Sequence, residues 1–114
     1  MTSPEELAVA FSSHRFSHTY DHLSASVRWV SVGGTTTVGR DAVVEACEQA
    51  MAEMAETRLD RRRFLTISGH HAVAVDTVTA YVDPSGEESV VASCDIYEFE
   101  AGTISVITSY AVEV

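Results

Sequence analysis

The chain has no lysine and no asparagine among its 114 residues. Without lysine there is no Schiff-base amine and no phosphate-loop lysine. Without asparagine there is no N-glycosylation acceptor. Cation is scarce altogether: 7 basic residues, all arginine, stand against 17 acids, for a net charge of −10. That balance repels a phosphate backbone, so nucleic acid is not expected as a partner. The only basic run, Arg61-Arg62-Arg63, reads as a solvated edge or a partner for nearby acids, with a phosphate site as the lesser alternative. No apolar run is long enough to span a membrane. The start, Met1-Thr2-Ser3-Pro4-Glu5-Glu6, has neither a basic segment nor an apolar stretch of the signal-peptide kind, so a cytoplasmic protein is expected. Cysteine is limited to Cys47 and Cys94, too few for a disulfide framework, and each alternates or cycles with apolar neighbours as a small core residue does. No glycine-rich dinucleotide fingerprint is present, and no cofactor is expected.

What is present is enough for one domain over residues 1–114 with its own core. Ser3 as N-cap, Pro4 in the first turn and Glu5-Glu6 at the positive end of the dipole open a helix. Leu7, Phe11, His14 and His18 share one helical face, while Val9, Phe16, Tyr20 and Leu23 lie opposite. A helix apolar on two sides is covered twice or broken, and a break is expected near Ser17–Thr19. Ser26–Val32 alternates as a strand, Gly33-Gly34 marks a hairpin, and Thr35–Val38 returns. A helix opens at Arg40 or Asp41 and runs to about Glu56, with Val43, Val44, Cys47, Met51 and Met54 as its buried stripe. Strands follow at about Arg61–Ser68, Ala72–Val82, Glu88–Glu100 and Thr103–Val112, separated by turns at Gly69, Pro84-Ser85-Gly86 and Ala101-Gly102.

Two helices, a short hairpin, one helix and four antiparallel strands make an α+β fold with helices on one face of a curved sheet. Val38-Gly39-Arg40-Asp41-Ala42-Val43, opening a helix after a hairpin, resembles the "GR-x-A-[IV]" step of the NTF2-like superfamily, which includes SnoaL-like polyketide cyclases and ketosteroid isomerases. The stretch from Asp95 to Ile104 resembles that superfamily's penultimate strand, "D-x-[FY]-x-[FV]-x-x-G-x-[IL]", and Tyr110 sits where the last strand often keeps a tyrosine. The resemblance covers nearly the whole chain. It implies an NTF2-like cone: a bent antiparallel sheet wrapped around the N-terminal helices and one further helix, with a pocket inside. It also implies a homodimer through the outer sheet face. Long strands apolar on both faces, Val90-Ala92-Cys94-Ile96 against Val91-Tyr97-Phe99, ask for cover on both sides as well.

The resemblance places Asp95 where ketosteroid isomerases hold a protonated aspartate that donates to an oxyanion, and an apolar pocket raises a carboxyl pKa as that role requires. The general base of those isomerases would fall at about Val30, which takes no proton. The acid positions of limonene epoxide hydrolases fall at Ser109 and Val112. The sequence thus leaves two functions open. One is an acid–base enzyme, a cyclase, isomerase or dehydratase, acting on a small hydrophobic molecule. The other is a non-catalytic ligand-binding or dimerising module of the same fold. The candidate catalytic residues are Asp95 and His18. The candidate binding residues are Tyr20, Trp29, Tyr97, Phe99 and Tyr110, each of which also reads as core. Asp95 has its own structural alternative, a carboxylate accepting hydrogen bonds from Tyr20, Tyr110 or Ser93. His14, His18 and His22 recur every four residues, but no His-Glu-x-x-His pattern exists and no metal site is expected. Asp76 reads as an acid at the wet sheet edge, or as one facing Arg28 or Arg40 of a dimer partner.

Overall fold

The structure, a computed structural model, describes residues 2–114. Helix α1 spans Pro4–Ser12 and opens as the sequence requires: Ser3 and Glu6 form a reciprocal capping box, with Ser3 Oγ accepting from the Glu6 N–H and Glu6 Oε1 accepting from the Ser3 N–H. Leu7 and Phe11 are buried on its inner face. The helix ends earlier than the apolar pattern predicts. Ser13 is its C-cap, and His14 takes the left-handed conformation at φ 64°. The His14 N–H donates to the Phe11 carbonyl and the Arg15 N–H to the Ala10 carbonyl, which together are a Schellman ending. Glycine normally occupies that left-handed position, so a histidine there gave no stop signal, and the break expected at Ser17–Thr19 lies at 13–15 instead. A 3₁₀ helix, Phe16–His22, then seals the same side.

Strand β1, Leu23–Ser31, and the short β2, Thr36–Val38, form the hairpin. Gly39 adopts φ 96°, donates its N–H to the Val27 carbonyl at 2.7 Å, and starts α2 over Arg40–Glu53. The Arg40 Nε–H donates to the Leu23 carbonyl at 3.0 Å, tying α2 back to β1. Val43 and Cys47 are buried against the core, whereas Met51 is exposed, so the buried stripe of α2 is narrower than its apolar residues indicate. Burial pushes the Cys47 thiol up to about 12, as for a core residue and unlike a nucleophile.

Four long strands follow: β3 Arg58–Ser68, β4 Ala72–Val82, β5 Glu88–Glu100 and β6 Thr103–Glu113. The sheet order is β2-β1-β6-β5-β4-β3. All neighbouring pairs are antiparallel except β1 and β6, which run parallel. A tight turn forces antiparallel pairing on consecutive strands, but the connection from β1 to β6 contains α2 and four strands and carries no such constraint. The result is an α+β cone with a bent, unclosed six-stranded sheet. Its inner face buries Val73, Val75, Tyr97, Ile104 and Ile107 against Leu7, Phe11 and Phe16. No helix among the described residues is long and apolar enough to cross a membrane.

Candidate functional site

Alternation along β5 turns Val91, Ser93, Asp95 and Tyr97 to the concave face. The first three line a cavity of about 180 Å³ together with side chains of β1, β4, β6 and the end of α1. Its apolar wall is aromatic. Phe11 packs edge-on against Trp29 at 5.1 Å and against Phe16 at 4.7 Å between ring centroids. Its polar wall comes from three neighbouring strands: Thr77 and Thr79 on β4, Ser93 on β5 and Ser109 on β6. The lining is therefore mixed, whereas the sequence reading expected an apolar one.

Asp95 is the only acid in that wall. Ser12, the last residue of α1, donates its hydroxyl to Asp95 Oδ2 at 2.8 Å and lies 2.6 Å from the Tyr97 hydroxyl. A serine hydroxyl has one proton. Because Ser12 gives that proton to Asp95, Tyr97 must be the donor in the second contact. Tyr97, Ser12 and Asp95 thus form a hydrogen-bond chain running toward the carboxylate. Ser109 lies opposite Asp95 in the β5–β6 register and accepts from Trp29 Nε1–H at 3.1 Å, which leaves its own proton to give. Burial raises the Asp95 pKa above the ordinary carboxylate value; hydrogen bonds from Ser109, Ser12 and Tyr97 oppose the rise without cancelling it. Burial, reinforced by the Asp95 charge, raises the fully buried Tyr97 phenol well above its usual value.

The second titratable group in the cavity is His14, placed there by the left-handed helix ending. Its Nδ1 lies 3.1 Å from Arg61 Nη2. Its ring meets Phe16 and Tyr81 edge-on, at 5.6 and 6.1 Å. Burial, and then the Arg61 charge, lower its pKa, so the imidazole is neutral near pH 7.

Of the residues singled out from the sequence, the structure brings Asp95, Trp29 and Tyr97 together. Tyr97 stands behind the wall, in the core. His18 does not join them: the early end of α1 turns it outward, where it is exposed along a broad, shallow depression with Ser3, Glu6 and Arg15. Tyr20 donates to Glu48 Oε2 at 2.7 Å on α2, away from the cavity. Phe99 packs near the His70-His71 turn, in a separate hollow beside Pro4. Tyr110 is on the outer face and exposed. The Asp95 partners expected from the sequence, Tyr20, Tyr110 and Ser93, are replaced by Ser12, Tyr97 and Ser109. Asp76 pairs within the chain with Arg63, at 2.9 Å. Within the triple-arginine run Arg62 meets Asp60 and Glu88, as a partner for nearby acids.

Ser12, His14 and Ser109 were missed. Ser12 was hidden among the small residues closing a helix. His14 sat on the face shared with Leu7 and Phe11, a signal that places it inward but says nothing of its partner Arg61, 47 residues away.

The sequence profile of the SnoaL-like domain matches residues 5–107. Comparison with curated proteins found no match. Among solved structures, an NTF2-like protein of unknown function from Cytophaga hutchinsonii is 30% identical, with 93% of each chain covered and a TM-score of 0.81. A candidate polyketide cyclase from Xanthomonas campestris is 19% identical over 91% of this chain and 83% of its own, with a TM-score of 0.71. A candidate isomerase of the SnoaL-like family from Agrobacterium tumefaciens is 14% identical over 98% and 99%, also at 0.71. The last two likenesses concern the fold alone. With the helix–hairpin–helix–sheet order, the Gly39-Arg40 step and the Asp95 strand all in place, the chain belongs to the SnoaL-like domain family of the NTF2-like superfamily.

Proposed function

We propose that this protein is an acid–base enzyme of the isomerase, cyclase or dehydratase kind, with Asp95 moving the proton. One observation carries the reading: a carboxyl in a cavity wall, its ionisation opposed by burial, with a hydrogen-bonded hydroxyl chain behind it. A raised carboxyl pKa brings the acid nearer to operating pH, where it can both take and return a proton. In the reaction the Asp95 carboxylate takes a proton from the carbon next to a ligand carbonyl. The electron pair moves into the enolate, and Asp95, its proton exchanging with solvent at that stage, returns a proton to another carbon or to the oxygen. Ser12 and Tyr97 hold the carboxyl in place through both states.

The test is deuterium uptake from heavy water at carbons adjacent to a carbonyl, read by proton NMR on a panel of cyclic enones. Asp95→Asn should slow uptake by about a hundredfold or more, the scale of a lost general base, without lowering the melting temperature. Uptake unaffected by that change, or its absence for ligands that demonstrably bind, would defeat the catalytic reading. The second reading, a binding module without chemistry, draws support from the wall itself: Ser109 stands where a two-acid mechanism would need a second carboxyl.

A second copy of the chain is the partner we propose for the outer sheet face. Register aligns Leu65, Asp76, Cys94 and Tyr110 in one row across β3 to β6, and Ile67, Ala74, Ile96 and Thr108 in the next. Ile67 is 59% and Val112 62% exposed, an apolar face of the kind that marks an interface.

A further inference from the structure

The cavity contains a second polar handle that the Asp95 reading does not use. Arg61 Nη2 lies against His14 Nδ1. A guanidinium has only protons to give and no lone pair to accept with. Nδ1 must therefore be the bare acceptor, and the ring proton sits on Nε2. Among the described residues Nε2 has no hydrogen-bond partner, and no buried polar side-chain atom is left unpaired, so Nε2 remains open to solvent or ligand. A protonated imidazole would turn Nδ1–H against the guanidinium, so Arg61 opposes that state as well. Tyr81 on β4 and Asp95 on β5 are the other titratable groups facing the same cavity, from the strands beside His14.

Size and charge then limit what enters. A cavity of about 150 Å³ holds a benzene ring, whereas sites for larger ligands run to roughly 300 Å³ and above. At about 180 Å³, the Asp95 cavity has room for one six-membered ring, and a fused polycyclic system would project beyond it. No arginine lines it, because Arg61 is exposed and turned to Nδ1. An anionic ligand would face the Asp95 carboxyl without a countercharge.

We propose that His14, fixed by Arg61 as an Nε2–H donor, receives the oxygen of a neutral one-ring carbonyl compound bound in the Asp95 cavity. His14 is then a binding residue and Arg61 its positioning residue. This inference rests on the Asp95 cavity being the functional site, but not on any turnover there.

The experiment is a long-range proton–nitrogen NMR spectrum of the full chain labelled with ¹⁵N-histidine, with His14→Gln used to assign the ring. Near pH 7 His14 should show the Nε2–H tautomer. Cyclohex-2-enone should shift its Nε2 signal saturably, and anthrone, with three fused rings, should not. Arg61→Leu should mix the tautomers, raise the His14 titration midpoint and weaken the cyclohex-2-enone shift several-fold. Arg61→Lys should restore part of the tautomer preference. A His14 ring protonated on Nδ1, a spectrum unmoved by Arg61→Leu, or anthrone shifting His14 at concentrations where cyclohex-2-enone does not would each overturn the proposal. Cyclohex-2-enone binding without deuterium uptake would remove the catalytic reading and leave this one standing. Deuterium uptake in anthrone alone would do the reverse.

Discussion

At the scale of single residues, Asp95 makes opposite demands on stability and on chemistry. Its folded pKa lies above the unfolded value, so the folded state holds its proton more tightly. Stability from this group is then fully present below the unfolded pKa and is lost as pH rises from there through the folded pKa. Asp95→Asn should therefore be neutral or stabilising at pH 7, as urea melts will show. A loss above about 2 kcal/mol would mean that Ser12 and Tyr97 need a carboxylate for the fold itself. His14 bears strain of a different kind. A non-glycine residue at φ 64° costs roughly 1 kcal/mol. His14→Gly should then be more stable than His14→Ala by about that amount in thermal or urea melts, while both lose the contact to Arg61. Asp95 was legible in the sequence because alternation fixes its face and its neighbours Tyr97 and Phe99 are apolar. His18 was misplaced for one reason: helical periodicity carries α1 to a break near Ser17–Thr19, whereas the left-handed His14 ends it a turn earlier.

At the scale of elements, the strands were the easier reading. β4 and β5 begin and end where alternation and the turn residues place them, since a strand buried on one face has little freedom of register. Helix ends and helix faces were harder. Met51 and Met54 look as apolar as Cys47, yet α2 meets the core along one line through Val43 and Cys47, and propensity does not say how much of a helix the sheet can cover. The β5–β6 hairpin turns on Ala101-Gly102, with both residues at positive φ, 53° and 81°, as a type I′ turn requires. Alanine is a poor choice for the first of these positions. Ala101→Asn should raise the urea midpoint, by a stabilisation of about 0.5–1 kcal/mol. A midpoint unchanged or lowered would show that the exposed turn does not limit the pairing of β5 with β6.

At the scale of the whole molecule, the outer face and the strand order each have a consequence. If a second copy covers the rows through Ile67 and Val112, sedimentation at micromolar concentration should give twice the chain mass. A charge placed in the row, Ile96→Glu, should return the protein to monomer while leaving the Asp95 side of the sheet intact. A wild-type monomer under those conditions would refute the dimer. The sequence reading expected an antiparallel sheet, and the parallel β1–β6 pair was not visible because no local pattern records which strand fills the centre. That pair governs the order in which the protein can be made. β6 follows the other five strands of the sheet in the chain, yet it alone joins β1 and β2 to β5, β4 and β3. On the ribosome the β1–β2 hairpin and α2 must therefore wait for β6 before they can join β3, β4 and β5 in one sheet. Until then Trp29 lacks Ser109, the β6 acceptor of its indole N–H, and its side of the aromatic cluster is open to chaperones and to other nascent chains.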